Sequence, residues 1–302
     1  MRVYEISNYL NEELILDIKS ENNKKFVNEF HVVESNTTYR YNKKRFNLKK
    51  KYPHIFHHKM DGINLFYKPF PRLKRDFPFI DFNKYSWMNE KVQRDYLLGR
   101  LNKINDDDVI IVSDLDEIID FNFFDEIKFF VKKKGIITLK FYQTMYYFNL
   151  FSFSQNNGPD EWAYRTFVMT GKYFKKIKSI EKLRILGAAN KLTNEVYCLK
   201  KKTGFHHSWI LGNDDMLYKL KNYSHAISEL AAIKEKKLNK ETIASIVNSK
   251  QNIIEGNYLE TNSKIKLLPA VANKKKYYLI FLCKKYQTII RLLSILYLKI
   301  YF

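Results

Sequence analysis

The sequence has few of the residues that build cross-linked, collagenous or linker-rich proteins. Among its 302 residues are two cysteines, nine glycines and six prolines. Cys198 and Cys283 cannot form a disulfide framework or a cysteine-rich zinc site, which favours a reducing compartment. So few glycines and prolines exclude a collagen-like chain or one dominated by linkers. The chain must therefore rely on a packed core.

Long apolar runs are also missing. The first ten residues hold no uninterrupted apolar stretch of the kind that a signal peptide needs. Residues 277–302 are apolar, but four charges, at Lys284, Lys285, Arg291 and Lys299, would fall inside a spanning helix of about 20 residues. The sequence therefore predicts neither a secretion signal nor a membrane span, and we expect a cytoplasmic protein.

Acidic residues are the minority charge. The chain has 53 Lys and Arg against 32 Asp and Glu, a formal net charge of +21. This balance favours a polyanionic partner, which is a nucleic acid, an anionic membrane or a phosphate-bearing small molecule. Because the lysine triplets are spread along the chain and form no single stripe, we expect no nucleic acid partner, and a basic nucleic-acid-binding module is kept as the non-enzyme alternative.

Apolar content and periodicity predict the fold class. Apolar residues make up 45% of the chain and aromatic residues 16%, which is enough to bury a core. Strand-like runs at 109–112 and 135–141 enclose a helical pattern at 122–131, an order that predicts a mostly parallel α/β sheet. Ser86 is predicted to cap a further helix that buries Val92.

The chain divides by composition into three segments. We predict a catalytic domain over residues 1–235, a Lys- and Asn-rich helical or linker segment over 236–276, and a basic amphipathic helix over 277–302. The narrow basic stripe of the last segment suits a helix lying on an anionic membrane surface, at the inner face of a membrane. The alternative is a helix that packs on the protein.

The most informative stretch is VIIVSDLDEIID, residues 109–120. Its apolar run predicts a strand covered on both faces, after which Asp114, Asp116 and Glu117 emerge. Ligands of open α/β sheets bind beyond the carboxyl ends of strands, so these carboxylates are candidate site residues, with Asp116 and Glu117 as candidate catalytic residues. Residues 106–120 hold seven carboxylates in a basic protein, and hard oxygen ligands of this kind suit Mg²⁺ or Mn²⁺.

Two other interpretations of this stretch stay open. One is a strand that simply ends in solvated acidic residues. The other is a haloacid dehalogenase-like phosphatase, with Asp114 as nucleophile, Asp116 as acid/base and Asp214 and Asp215 as a later acidic pair. Against the phosphatase, more than a hundred residues precede the Asp-x-Asp here, whereas that family usually opens with it.

Six segments in order along the chain resemble glycosyltransferase family 17. They are FHVVESNTTYR (30–40), WMNEKVQRDYL (87–97), VIIVSDLDEI (109–118), MYYFNLF (145–151), TGFHHSW (203–209) and KLKNYSH (219–225). The family includes the enzyme that adds the bisecting β-1,4-linked N-acetylglucosamine to N-glycan cores. The resemblance implies a GT-A-like, Rossmann-like fold, a UDP-sugar donor and inverting transfer assisted by Mn²⁺ or Mg²⁺. Its acceptor is expected to be a glycan or a lipid-linked saccharide.

The resemblance also assigns roles to individual residues. Asp114 and Asp116 match the family's metal and nucleotide motif, with Glu117 beside it, and His206 is the candidate third metal ligand. Glu34 matches an acidic residue where a donor base or ribose would bind.

Two positions keep open roles. Arg94 either forms a helical ion pair with Glu90 or faces the donor diphosphate. An inverting transfer also needs a base for the acceptor hydroxyl, for which the sequence offers four carboxylates, Asp160, Glu161, Asp214 and Asp215.

Overall fold

The computed structural model describes a defined part of the chain. The described residues are 1–48, 52, 54–62, 82–101, 103–154, 158–159, 161–223, 239–253, 259–261 and 268, with the backbone alone at 82–87, 153–154, 158–159 and 161–162.

Strands and helices alternate through the first half of the chain. The strands are β1 (Val3–Tyr9), β2 (Glu29–Ser35), β3 (Ile55–Met60), β4 (Val109–Val112), β5 (Glu117–Ile119), β6 (Ile136–Met145), β7 (Leu150–Ser154), β8 (Gly158–Pro159), β9 (Glu161–Thr170), β10 (Tyr197–Ser208) and β11 (Leu259–Thr261). The helices are α1 (Glu13–Asn23), α2 (Phe82–Asp95), α3 (Phe124–Lys134), α4 (Gly171–Phe174), α5 (Ile180–Ala188), α6 (Asn213–Asn222) and α7 (Lys240–Asn248), with a 3₁₀ turn at Phe121–Phe123.

The described strands join in one mixed sheet with the order β11-β7-β6-β9-β4-β1-β2-β3. Strands β4, β1, β2 and β3 run parallel to one another. Strand β9 lies between β4 and β6 and is antiparallel to both. Strand β10 runs parallel to β6 and antiparallel to β5. The topology confirms the predicted α/β class with a largely parallel central sheet.

Strand β4 is buried on both faces, as its unbroken apolar run predicts. Because successive side chains alternate, Ile110 packs in a cluster with Leu97 on one face, while Ile111 packs with Ile127 and Val131 of α3 on the other. Helices on both faces thus fix the position of the loop that follows β4.

Helix α2 differs from its prediction in start and orientation. It begins at Phe82, four residues before the predicted cap Ser86, and Val92 is 38% exposed instead of buried. Gln93 is buried in its place, and its amide donates to the backbone carbonyls of Tyr9 and Val33, at 3.3 and 2.6 Å. The helix therefore turns a polar face toward the carboxyl ends of β1 and β2.

The catalytic core was expected to end near residue 235. Helix α7 contributes Ile243 and Ile246 to a cluster with Leu220 of α6, and β11 pairs with β7. The described residues between 239 and 261 therefore belong to the same core and sheet. The predicted tail helix, 277–302, lies outside the described residues. In the part of the chain that is described, we find no helix with the length and hydropathy needed to cross a membrane.

Candidate active site

The carboxyl ends of β1 and β4 border a cavity of about 380 Å³. The two strands are adjacent and parallel, so the loops that follow them reach the same edge of the sheet. The charged side chains that line this cavity are Glu12, Glu90, Arg94, Asp114, Asp116, Arg165, His206 and Lys219. The sequence-predicted pair Asp114 and Asp116 therefore lies in a cavity with four basic side chains.

Two arginines hold the carboxylate of Asp114. Arg94 Nη2 lies 3.0 Å from Oδ1 and 3.1 Å from Oδ2, and Arg184 donates to Oδ2. Arg94 also pairs with Glu90 and Glu181. Burial alone would lower the pKa of Arg94, but Asp114, Glu90 and Glu181 together raise it well above its ordinary value. Arg94 thus forms the expected ion pair with Glu90 and also lines the cavity.

Glu117 is fully buried and stands outside the lining of the cavity. Its carboxylate accepts hydrogen bonds from Arg184 at 3.0 Å, Thr166 Oγ1 at 2.6 Å and the backbone N–H of Asp114 at 2.8 Å. Burial would raise the pKa of Glu117, but Arg184 and Thr166 outweigh it and hold the pKa below its ordinary range. The sequence offered Glu117 as a catalytic residue, whereas its contacts fix the loop between β4 and β5.

Lys19 of α1 holds the same loop from the opposite side. Its completely buried amine donates to Ser113 Oγ at 2.7 Å and to the backbone carbonyls of Asp114 and Glu117 at 2.8 and 2.9 Å. Glu5 balances its charge at 2.8 Å. Because these contacts fix the loop backbone, the side chains of Asp114 and Asp116 are presented from a rigid support.

Asp116 lies between His206 and Lys219. Its Oδ1 is 3.5 Å from His206 Nε2, and its Oδ2 is 3.7 Å from Lys219 Nζ. Burial would raise the pKa of Asp116, but His206 and Lys219 outweigh it and hold the pKa well below its ordinary value. Strand pairing produces the approach of His206, because β10 places it opposite Glu117 in β5.

The predicted cation can be compared with these contacts. Within the described residues, no three His, Cys, Asp or Glu side chains converge to hold a metal ion. Asp114, one of the three predicted ligands, is engaged by two arginines. Asp116 and His206 fit better, because two ligands at about 2.1 Å from one cation lie about 3 Å apart, close to their 3.5 Å. A carboxylate and an imidazole suit a cation that takes its other ligands from water and a diphosphate.

Glu34 lies away from the cavity that it was expected to serve. It is fully buried in β2 and accepts hydrogen bonds from Lys44 Nζ and the backbone N–H of Asn47, both at 2.6 Å. His57 Nε2 lies 3.0 Å from its other oxygen. These contacts make Glu34 the anchor of the chain after β2. Asn8 of β1 does line the cavity, and its side-chain Nδ2 has no hydrogen-bond partner among the described residues.

The four carboxylates that could act as the base lie in different parts of the chain. The Asp214 side chain is 73% exposed, pairs with Lys240 and lies outside the cavity lining, and Asp215 is also exposed. Asp160 lies outside the described residues. Glu161, whose backbone alone is described, opens β9 opposite Tyr142, the neighbour of cavity-lining Gln143. Glu161 is therefore paired with a strand, β6, that contributes one residue, Gln143, to the cavity lining.

Sequence reasoning assigned no role to Glu12, Arg184 or Lys219. Helical spacing carries the signal for two of them. Lys219 shares the buried face of α6 with Met216 and Leu220, and Arg184 shares that of α5 with Ile180. A basic residue on the buried face of an amphipathic helix needs an acidic partner inside the protein.

The fold places a charged cavity beyond the carboxyl ends of parallel strands, where α/β enzymes bind their ligands. The model of glycosyltransferase family 17 matches residues 1–260, so the chain belongs to that family and is a glycosyltransferase. The observed α/β sheet, with parallel central strands, agrees with the fold class that the sequence predicts. No curated protein gives a significant match.

Several solved structures show distant similarity. 2-C-methyl-D-erythritol 4-phosphate cytidylyltransferase of Francisella tularensis is 13% identical, with a TM-score of 0.35 over 74% of this chain and 100% of that one. The galactosyltransferase LgtC, solved with donor and acceptor sugar analogs, is 9% identical, with a TM-score of 0.30 over 60% and 62%. TarS of S. aureus, residues 1–349, is 12% identical, with a TM-score of 0.33 over 82% and 74%.

Proposed function

We propose that this glycosyltransferase moves a sugar, with N-acetylglucosamine the leading choice, from a UDP-sugar to a hydroxyl of its acceptor with inversion. The observation that carries the proposal is the juxtaposition of Asp116, His206 and Lys219 in a cavity at the carboxyl end of β4. A diphosphate is an anion that needs cationic partners, and the cavity also presents Arg94 and Arg165. Nucleic acid is not part of the proposal.

Asp116 and His206 are the proposed ligands of Mn²⁺ or Mg²⁺. When bound, such a cation neutralises the charge that develops on a departing diphosphate. The protein's own contribution is a rigid loop, since Lys19 and Glu117 fix the backbone on either side of Asp116. Asp114 then orients the Arg94 guanidinium group at the wall of the cavity and has Arg184 as its second partner.

Glu161 is the proposed base for the acceptor hydroxyl. The support is its pairing with β6, the strand that supplies cavity-lining Gln143, together with the exposure of Asp214. In Glu161→Gln, we expect transfer to fall at least 100-fold while UDP binding in the presence of Mn²⁺ changes less than threefold. Equal losses of binding and transfer would contradict the assignment.

The phosphatase interpretation loses support at two points. Its nucleophile would be Asp114, whose two oxygens are already held by Arg94 and Arg184. Its later acidic pair would include Asp214, which lies outside the cavity lining. The family match covers residues 1–260 and favours transfer over phosphate-ester hydrolysis.

A saccharide acceptor, either a glycan or a lipid-linked one, completes the proposal. The apolar and basic tail at 277–302, which lies outside the described residues, would associate with an anionic membrane surface that holds a lipid-linked acceptor. Sedimentation with phosphatidylserine vesicles should recover the full chain and lose a chain truncated after residue 276. If the full and truncated chains sediment equally, the membrane role of the tail is wrong and the rest of the proposal stands.

A ligand-binding experiment tests the central proposal. UDP with Mn²⁺ should raise the melting temperature of the protein, because a ligand at 100 times its Kd adds about 2.7 kcal/mol to the free energy of unfolding. Asp116→Asn should abolish this rise, whereas Asp125→Asn, on the exposed first turn of α3, should leave it unchanged. Donor hydrolysis with UDP-, GDP- and CMP-sugars then identifies the nucleotide. No binding and no hydrolysis of any donor would overturn the proposal.

A further inference from the structure

The amine of Lys219 has hydrogen-bond donors available for a ligand in the cavity. Its side chain is only 8% exposed, yet it lines the cavity beside Asp116. Glu12 Oε1 lies 3.0 Å from Nζ, and Asp116 Oδ2 lies 3.7 Å away, beyond hydrogen-bond distance. Because an ammonium group carries three donors, one hydrogen bond leaves donor capacity on the side of the cavity.

Lys19 provides an internal comparison for a structural lysine. Its Nζ has four oxygen partners within 2.9 Å, from Glu5, Ser113, Asp114 and Glu117, and it does not line the cavity. Lys19 is therefore a buried amine that serves only the fold and is fully partnered. Lys219 is buried to a similar extent but has a single close oxygen among the described residues.

Aromatic rings fix the amine of Lys219 at this place. Its Nζ lies 5.2 Å from the ring centre of Trp209 and 5.9 Å from that of Tyr223, and the two rings meet edge to face. Both aromatic residues line the cavity. Because the rings accept no strong hydrogen bond, they position the ammonium group without using its remaining donors.

We propose that Lys219 binds the diphosphate of the donor, its ammonium group moving from the ion pair with Asp116 in the free enzyme to a phosphate oxygen in the complex. The inference rests on the proposed function. A carboxylate that faces a lysine binds a divalent cation weakly, since the ammonium group already offsets its charge. When a diphosphate draws the ammonium group away, Asp116 becomes available to the cation. The cation and the nucleoside diphosphate therefore bind cooperatively.

The experiment measures Mn²⁺ and UDP affinities of the full chain by titration calorimetry. In Lys219→Met, UDP affinity at saturating Mn²⁺ should fall at least 10-fold, while Mn²⁺ affinity without nucleotide should rise at least threefold. Lys221→Met, on the exposed face of the same helix, is the matched control and should change neither affinity. Lys219→Arg keeps the charge and should retain UDP affinity within about threefold, which covers the case in which the Met variant fails to fold.

The outcomes separate the two proposals. If the wild-type chain binds UDP but Lys219→Met binds it within twofold, or Lys219→Arg loses 10-fold, the role of Lys219 is overturned and the transferase proposal stands. Unchanged Mn²⁺ affinity in the Met variant would overturn the part of the proposal in which Lys219 competes with the cation for Asp116. If the wild-type chain binds no nucleoside diphosphate with Mn²⁺, the proposed function fails, and the role of Lys219 fails with it.

Discussion

Arg94 contacts both carboxylate oxygens of Asp114 from one guanidinium nitrogen, at 3.0 and 3.1 Å. The two residues come from different elements, α2 and the loop after β4, and Arg94 also pairs with Glu90 and Glu181. Three carboxylates thus depend on one arginine. Asp114 has a second basic partner in Arg184. The arginine is therefore the member of this network whose loss removes an ion-pair partner from the largest number of carboxylates.

Replacing Arg94 should destabilise the protein more than replacing Asp114. Arg94→Met removes one ion-pair partner from each of the buried carboxylates Glu90 and Glu181, for which we expect a loss of about 3–5 kcal/mol in the free energy of unfolding. Asp114→Asn leaves Arg94 paired with both glutamates, so its loss should be about 1–2 kcal/mol. Urea unfolding followed by circular dichroism gives both values.

Arg100→Met is the matched control for the arginine substitution. Arg100 is exposed just after α2 and contacts the carbonyl and ring of Tyr96. We expect a change within about 0.5 kcal/mol. An Arg94→Met protein as stable as this control, or less affected than Asp114→Asn, would contradict the network.

The lysines of α1 allow a direct comparison of a buried ion pair with an exposed one. Lys19 is fully buried with Glu5, whereas Lys24, just after α1, is half exposed and pairs with Glu21 at 2.9 Å. Lys19→Met should cost about 3–5 kcal/mol, because Glu5 and two backbone carbonyls lose their donor. Lys24→Met should cost less than about 1 kcal/mol. The free energy of unfolding of each variant measures the difference.

The same lysine variant separates folding from binding. Because Lys19 holds the backbone of Asp114 and Glu117, Lys19→Met should also weaken UDP binding at a temperature where the variant is still folded. Circular dichroism at that temperature verifies folding. A folded variant with unchanged UDP affinity would show that the loop keeps its position without Lys19.

Local patterns were enough to predict the strands around the site. The apolar run of β4 and the acids that follow it placed Asp114 and Asp116 at the binding edge, and the resemblance placed His206 with them. The sequence did not predict which basic residues pair with these acids. Arg184 lies 70 residues along the chain from Asp114, and tertiary packing of α5 brings the two together. Glu34 and Glu117 show the converse, since burial with protein donors removed them from the cavity.

Acidification should weaken the edge of the sheet at β3. His31 Nδ1 in β2 lies 2.9 Å from His58 Nε2 in β3, and Glu29 lies 3.1 Å from the other ring nitrogen of His31. Burial, together with His58, lowers the pKa of His31 from 6.5 to about 4, against the opposing effect of Glu29. The unfolded chain therefore binds a proton between pH 6.5 and about 4 that the folded protein does not bind.

The sign of the effect follows from this difference in bound protons. The contribution of His31 to the free energy of unfolding should be constant above pH 6.5. It should fall by about 3 kcal/mol as the pH decreases toward 4. Urea unfolding at pH 7.5, 6.5, 5.5 and 4.5 measures the slope. His31→Gln should reduce that slope, and an identical slope in the variant would exclude His31 as its source.

Close packing of α5 on β9 leaves no room for a side chain at Gly187. A Cβ at Gly187 would lie 1.7 Å from the carbonyl oxygen of Tyr164, so Gly187→Ala forces the helix away from the strand. Helix α5 carries Arg184, whose contacts with Asp114 and Glu117 would lengthen. We expect a loss of about 1–3 kcal/mol in the free energy of unfolding, typical of overpacking, with weaker UDP binding.

Gly212, just before α6, is the matched control for this substitution. The nearest atom to a Cβ there is Asp215 Oδ2, at 3.9 Å, which is ordinary van der Waals contact. Gly212→Ala should therefore change stability and UDP affinity little, although the helix with Lys219 begins at the next residue. If Gly187→Ala matched this control in both measurements, α5 would have room to adapt, and the position of Arg184 would not depend on the close approach of helix and strand.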